Sequence, residues 1–401
     1  MMPHSPADPR DVWAIEQLLV GQPLADGRLV VREPSLIRVD GTRATARHYV
    51  LEYDLSRARL ASLRYATWLL HRGPDGRWAV VDASEVAAGD ARVSDFLNDG
   101  LAADFAAVHS AAGPGRMRSA TDGDAIRAVL AGYGLAADAG DADLVGALYT
   151  ADAVVDISGD RVYRGRKAMS DMIRGEFHRA LLPWAGHTMG PSLVAVDCDR
   201  AQSLHLGRTY GPPPRSVDDI AHWDRRPFRY SVNRWTFVRG GGATWQVATR
   251  RSCQVPGPDW RGLLADGLRQ WRDASPADLG TPEGDPAAAR EHLDRRRTLD
   301  IVTAAAFTVT VSGKAHGWPF VDGDQVVLPL DDMSACVGIV PAAGSVTLNG
   351  ATATVLNVLV TYVDDGSKRI GPARLDPYRW ELVSDGASWS VRSMTPAAVS
   401  Q

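Results

Sequence analysis

Apolar residues recur at two spacings along this chain, and the spacing switches from place to place. Val12, Ile15, Leu18 and Leu19 share one helical face and predict a helix over 9–20. The period then drops to two. "SLIRVDGTRATARHYVLEY" (35–53) reads as strand, tight polar turn and longer strand. "YATWLLHRGPDGRWAVVD" (65–82) reads as a hairpin around Gly73-Pro74-Asp75-Gly76. "SDFLNDGLAADFAAVH" (94–109) predicts a helix, and "SAAGPGRMRSAT" (110–121) a linker.

The pattern is richest from residue 122 onward. Ile126, Val129, Leu130, Tyr133 and Ala137 form one helical face, with Asp122 or Asp124 placed to cap its start. Gly140 can end that helix, and Asp141 can cap the next, which runs through Leu144 and Leu148. "AVVDISGDRVYRG" (153–165) predicts a hairpin turning at Gly159-Asp160, and "RKAMSDMIRGEFHRAL" (166–181) a third helix. "HTMGPSLVAV" (187–196) opens a meander of strands that ends in "RYSVNRWTFVRGGGATWQVATRRS" (229–252). After Trp271, "RDASPADLGTPEGDP" reads as a second linker. Beyond it, 286–304 predicts one helix, and "AFTVTVSG" (306–313) alternates like "AVVDISG" (153–159) and predicts a strand.

Two features recur three times. "SLIRVDGTRATARHYVLEY" has counterparts in "SLVAVDCDRAQSLHLGRTY" (192–210) and "SVTLNGATATVLNVLVTY" (345–362). Each is followed by a Trp pair around a turn: Trp68/Trp78, Trp235/Trp245 and Trp380/Trp389. The pairs are expected roughly opposite one another on adjacent strands. The repeat predicts three α+β units: 1–112, 118–272 and 285–401. In each, a curved antiparallel sheet would carry helices on its concave side, the first and third being truncated or degenerate. The leading helix 9–20 is matched to 166–181.

Composition narrows the function. Net charge is −4 with no basic stripe, which gives nucleic-acid binding no electrostatic support. Arg far outnumbers Lys (Lys167, Lys314, Lys368), as codon bias in a GC-rich genome would produce. Cys198, Cys253 and Cys336 are odd in number and far apart, so neither a disulfide framework nor a zinc knuckle is expected. The start "MMPHSPADPRDVW" lacks an apolar signal core, and no apolar run approaches the roughly 20 residues of a membrane span. A cytoplasmic protein with no membrane partner is the expectation.

Three stretches carry a family resemblance: "AIRAVLAGYGLAADAGDADLVGALYTADAVVDISGDRVYRGRKAM", "GHTMGPSLVAVDCDRA" and "RYSVNRWTF…GATWQVATRRS". Over residues 122–253 the chain resembles the NTF2-like superfamily, and within it the SnoaL-like lyases, isomerases and cyclases. The resemblance implies a cone-shaped fold around a small-molecule pocket. Dehydratases of the superfamily are similar in having a Tyr, an Asp five residues later and a His opening the third strand, which here fall on Tyr133, Asp138 and His187. The implied chemistry is proton transfer without a metal or organic cofactor. His187 would be the acid or base, Asp138 its orienting carboxylate, and Tyr133 a donor to a carbonyl or departing hydroxyl. Without the resemblance, Tyr133 reads as a core residue, Asp138 as a solvated turn residue and His187 as a structural histidine. Because five helical residues turn Asp138 about 140° from Tyr133, the two converge only if the helix loosens before Gly140.

A second set could line the pocket. Asp156 lies one residue from where isomerase members keep a carboxylate. His205 shares a strand face with Ser203 and Gly207, and Asn233 and Arg250 lie on the Trp hairpin. Each also has a plain structural reading. The outer units lack the set: alignment of the hairpins puts Thr310 at the place of Asp156. Those units are expected to pack against the middle one within the chain, with a further homodimer left open. The expected substrate is a hydrophobic small molecule of specialised metabolism, undergoing dehydration, isomerisation or cyclisation. Epoxide opening in the same cone is the enzymatic rival, and a non-catalytic binding or scaffold protein is the rival from another class.

Overall fold

The structure is a computed structural model that describes residues 9–19, 23–24, 28–32, 35–54, 56–57, 59–110, 120–157, 159, 161–211, 226–240, 244–274, 286–312, 336–341, 345–364, 370–386 and 389–397. Most of both expected linkers, Gly241, Gly242 and Lys314 lie outside these residues.

Helix α1 (Pro9–Leu19) leads into β1 (Pro23–Leu24), β2 (Arg28–Arg32), β3 (Leu36–Asp40), β4 (Arg43–Asp54), β5 (Arg59–Arg72) and β6 (Trp78–Ala87). The sheet order is β1-β2-β4-β5-β6, with β3 also on β4. One face packs Ala44, Ala46, Leu70 and Trp78 under Ile15 and Leu19 of α1. The other face carries Tyr49, Leu51, Tyr53, Leu63 and Tyr65 into the main core of the molecule. β4 is therefore buried on both sides, as a strand between two layers must be. Helices α2 (Val93–Asn98) and α3 (Leu101–Ser110) follow; Gly100 (φ 75°) splits the single helix expected there.

The middle segment runs α4 (Ala120–Ala139), α5 (Ala142–Ala147), β7 (Tyr149–Ile157), β8 (Arg161–Arg164), α6 (Gly165–Arg174), α7 (Glu176–Leu181), β9 (Gly186–Asp197), β10 (Arg200–Tyr210), β11 (Arg229–Arg239), β12 (Trp245–Val255) and α8 (Trp260–Asp273). Gly140 (φ 73°) ends α4, and the Asp141 side chain accepts the Leu144 N–H at 2.9 Å, capping α5. The sheet order is β8-β7-β12-β11-β10-β9. It is not wholly antiparallel: β7 and β12 run parallel, because helices separate β7 from the meander and return the chain in the same direction. The outer face of β10 and β11 (Leu204, Leu206, Tyr230, Val232) is sealed by Trp260, Leu263, Leu264 and Leu268 of α8. The inner face, toward α4, carries Ser203, His205, Gly207, Ser231, Asn233 and Trp235. Polarity on the helix-covered face is the reverse of what a filled core needs.

The third segment runs α9 (Pro286–Ser312), β13 (Cys336–Pro341), β14 (Ser345–Asn349), β15 (Thr352–Asp364), β16 (Ile370–Ser384) and β17 (Trp389–Pro396). The strand expected at 306–313 is instead the last part of α9. Thr303, Thr308 and Thr310 return their hydroxyls to carbonyls four residues back, and Ile301, Val302, Ala305 and Ala306 pack on the sheet. That burial overrides the β-preference of "TVTV".

The three sheets share one plan. In each, the register slips just after the first Trp of the pair: at Leu69/Leu70, Thr236/Phe237 and Glu381/Leu382. The Trp residues are not opposite each other. Trp78 faces Arg72, Trp245 faces Arg239 and Trp389 faces Ser384, each four residues beyond the first Trp. The second Trp turns instead to a helix. Its indole N–H donates to Asp11 of α1 (2.9 Å), Asp122 of α4 (3.1 Å) or Asp294 of α9 (3.0 Å). In this tie α1 does for its sheet what α4 does for the middle one, a contact the helices at 166–181 do not make among the described residues. The ties also explain why Asp122 does not cap α4: it accepts from Trp245 and Arg239. Asp124 does not cap it either, being paired with His292, Arg127 and Arg296.

The last Tyr of each repeat meets at one buried point. Tyr53 and Tyr210 hydroxyls are 3.4 Å apart, Tyr53 and Tyr362 3.1 Å, and Tyr210 and Tyr362 3.4 Å. Arg208 donates to the Tyr362 hydroxyl at 2.9 Å. Burial, followed by the neighbouring Tyr362, holds the Tyr210 phenol well above its ordinary pKa.

Candidate functional site

Asp138 sits in the last turn of α4 with its side chain fully buried. A carboxylate there opposes the helix dipole and must be compensated. Three donors do so. The Nδ1 of His187 lies 2.5 Å from Oδ1, the His187 backbone N–H donates to Oδ2 at 2.9 Å, and the Tyr49 hydroxyl donates to Oδ2 at 2.6 Å. Tyr49 comes from β4, in the first sheet. Tyr65, also from that sheet, gives its hydroxyl to the Ala185 carbonyl; burial and the charge of Asp138 raise its pKa well above normal. The His187 side chain is 15% exposed. With Nδ1 committed to Asp138, its Nε2 has no partner among the described residues.

His178 of α7 stacks on His187, with centroids 5.6 Å apart and planes at 25°. Its Nε2 lies 2.7 Å from the Ala137 carbonyl, which fixes that nitrogen as the donor. Burial first, then the charge of His187, hold its pKa below the usual histidine value.

Close approach of α4 to β9 and Tyr49 depends on Gly134. A Cβ there would overlap the His187 carbonyl and lie 3.0 Å from the Tyr49 hydroxyl. Gly134 and Asp138 share a helix face, being four residues apart. Asp138 thus reaches His187 without any loosening of α4, and it turns away from Tyr133.

Tyr133 belongs to a second cluster on the inner face of the middle sheet. Its ring meets Tyr149 (6.4 Å) and Trp235 (5.2 Å) edge-on, and the Arg250 guanidinium lies 5.0 Å from it. It makes no hydrogen bond to Asp138 or His187 among the described residues, so the expected Tyr–Asp–His trio is joined through Tyr49 instead. Arg250, Asn233 and His205 gather here as expected. Arg250 Nε donates to Ser252 (3.1 Å), Ser252 to Asn233 (2.5 Å), and Asn233 to Ser231 (3.1 Å). His205 is fully buried, 5.7 Å from Trp235, and burial plus the charge of Arg250 lower its pKa to about 3. Asp156 does not join them. It faces Arg251 on the other side of the sheet, and its carboxylate accepts the Gly159 N–H at the β7–β8 turn.

Both clusters lie on the same face. His187 pairs with Thr209, and His205 stands four residues along β10 from it, on the order of 13 Å at strand rise. Several inner groups are buried without a hydrogen-bond partner among the described residues: both His205 ring nitrogens, Ser203 Oγ and Trp235 Nε1. Among the described residues, no three His, Cys, Asp or Glu side chains lie together as a metal ion would require. No described helix is long and apolar enough to cross a membrane.

Tyr49, His178 and Gly134 were not anticipated from the sequence. The glycine had a signal: "GYG" inside a helix costs about 1 kcal/mol per Gly against Ala and calls for a close neighbour. Tyr49 had none, because its partner lies 89 residues away in another sheet.

The chain is similar to known proteins over its middle segment. Residues 118–251 match the SnoaL-like domain. An NTF2-like protein with a cystatin-like fold from Novosphingobium aromaticivorans is 31% identical, covering 35% of this chain and 87% of its own, with a TM-score of 0.32. A candidate scytalone dehydratase from the same organism is 16% identical over 33% of this chain and 82% of its own, TM-score 0.27. A protein of unknown function from Mycobacterium tuberculosis is 19% identical over 43% of this chain and 86% of its own, TM-score 0.28. No curated protein matches the chain. Residues 118–251 of this chain are therefore a SnoaL-like domain.

Proposed function

We propose that the middle segment, residues 118–272, is an acid–base enzyme acting on a hydrophobic small molecule with an acidic C–H beside a carbonyl. The observation that carries this reading is the Asp138–His187 pair, with Nδ1 held at 2.5 Å and Nε2 without a partner among the described residues. His187 Nε2 takes the C–H proton, and Asp138 steadies the imidazolium that forms. Arg250, beside Tyr133 and Tyr149 in the other cluster, offers positive charge to an oxygen at the far end of the ligand, away from the reacting carbon, and so orients it. Returning the proton to a β-hydroxyl gives dehydration; returning it to another carbon gives isomerisation. The unpartnered polar groups on the inner face support a ligand there, since each would otherwise cost about 1–3 kcal/mol.

The outer segments belong to the same proposal. Residues 1–112 and 285–401 are degenerate copies of the middle unit that fill the places of neighbouring protomers. Their matching Trp–Asp ties and register slips support this. In the third copy the Ile339 N–H donates to Thr310 at 3.0 Å, as His187 donates to Asp138. Asp122 to Asp138 and Asp294 to Thr310 are equal intervals, so Thr310 stands for Asp138 and Ile339 for His187. That copy carries no acid–base pair at this position.

The test is a panel of aromatic β-hydroxy ketones in deuterated water, followed for loss of water and for deuterium in recovered ketone. Turnover is expected, and His187→Ala should slow it roughly 10²–10⁴-fold. A panel member turned over equally by the variant would contradict the role of His187.

A further inference from the structure

The inner face of the first sheet repeats part of the middle one. His48 stands on β4 two residues past Ala46, the partner of Trp68. His205 stands on β10 two residues past Ser203, the partner of Trp235. Each imidazole meets its Trp edge-on, at 5.1 Å for His48–Trp68 and 5.7 Å for His205–Trp235. Each Trp carries a guanidinium over its ring: Arg32 at 4.8 Å from Trp68, and Arg250 at 4.9 Å from Trp235.

The third sheet shows what a closed version looks like. Asn357 takes the histidine position, two residues past Val355, the partner of Trp380. The Trp380 indole N–H donates to Asn357 at 2.9 Å, and α9 fills the surrounding face. In the first sheet nothing is closed in this way. His48 is fully buried, yet among the described residues neither ring nitrogen makes a hydrogen bond, nor do Trp68 Nε1 and Arg32 Nε. Burial and the charge of Arg32 lower the His48 pKa to about 3, against a small opposing pull from the Ala46 carbonyl. Arg32 makes no ion pair among the described residues, although Glu85 lies near enough to favour its charge. Glu85 and Glu52 are engaged by Arg64, and Glu52 by Arg28 as well.

We infer that this face is a second binding site, for a small aromatic carboxylate held by His48, Trp68 and Arg32. A guanidinium with a buried, unpartnered Nε and no ion pair among the described residues, beside an unpartnered indole N–H, favours an anion with oxygen acceptors. The Trp68 ring and the adjoining Val30, Val50 and Ala66 give a flat apolar body a surface to lie on. The inference does not depend on the chemistry proposed for His187.

Benzoate is the probe, read on the ¹⁵N–¹H indole signals of the full chain, with the Trp68 signal assigned by its loss in Trp68→Phe. Benzoate should move that signal saturably. The movement should vanish in Arg32→Gln and in His48→Leu, while the Trp245 and Trp389 signals report that the fold is kept. A Trp68 signal that benzoate leaves unmoved overturns the site, whatever Trp235 does. So does a movement that persists in Arg32→Gln, which decides the matter if His48→Leu does not fold.

Discussion

Single residues here carry roles that only their neighbours reveal. Tyr49 donates to Asp138 inside the core, and a hydrogen bond to a charged group contributes about 1.5–3 kcal/mol. Tyr49→Phe should therefore lower kcat roughly tenfold to hundredfold while leaving KM nearly unchanged, because the hydroxyl positions the pair without touching substrate. A change in KM alone would point to a different role. His48 and His205, both with a pKa lowered to about 3, are neutral in the folded chain. An unfolded histidine binds a proton below about pH 6.5, so the unfolded state then holds more protons and stability is lost as pH falls below that value. Each should cost up to about 1.4 kcal/mol per pH unit between pH 6.5 and 3. Urea titrations of His205→Gln should show a shallower acid loss than wild type; equal slopes would mean that His205 is solvated. The sequence exposed His187 and Asp138 because they match a family pattern, and His205 because of its small neighbours. It hid Tyr49, whose environment exists only once two sheets meet.

Elements followed the hydrophobic period wherever burial was one-sided. It failed at 306–313, where alternating Thr and Val were read as a strand. Both faces of that segment are used within α9, and the Thr hydroxyls satisfy themselves along the helix. It failed again for the Trp pairs: the hairpin turns lie nearer the second Trp than the first, so the second faces a residue four beyond the first, and a one-residue register slip keeps it on the face toward a helix Asp. Turns were more faithful. The β3–β4 and β14–β15 turns have Gly41 and Gly350 at φ 61°, and the β9–β10 turn has Cys198 at φ 52° in their place. A side chain in that region costs roughly 1–2 kcal/mol, partly offset by the entropy glycine loses on folding. Cys198→Gly should stabilise the protein by up to about 1 kcal/mol in thermal melts. A destabilised variant would show that the thiol makes contacts that outweigh the strain.

At the scale of the molecule, the three sheets close around the hydroxyls of Tyr53, Tyr210 and Tyr362, and α4, α9 and α1 are tied by Arg127–Asp300, His292–Asp124 and Arg296–Glu16. The repeat that ends in those tyrosines was visible in the sequence; their meeting point was not. Residues 118–272 expressed alone would lose Tyr49, Tyr53, Tyr362 and Asp300 together. They should melt well below the full chain, whereas equal melting would show that the segments are independent. The central claim is that Asp138, His187 and Tyr49 form one hydrogen-bonded chain assembled from two sheets. It is tested most directly by the imidazole N–H proton of His187, observed by NMR. The account predicts a strongly deshielded Nδ1 proton in the full chain that disappears in Asp138→Asn and moves in Tyr49→Phe. A signal at the position of a solvated imidazole, or one indifferent to Tyr49→Phe, would contradict it.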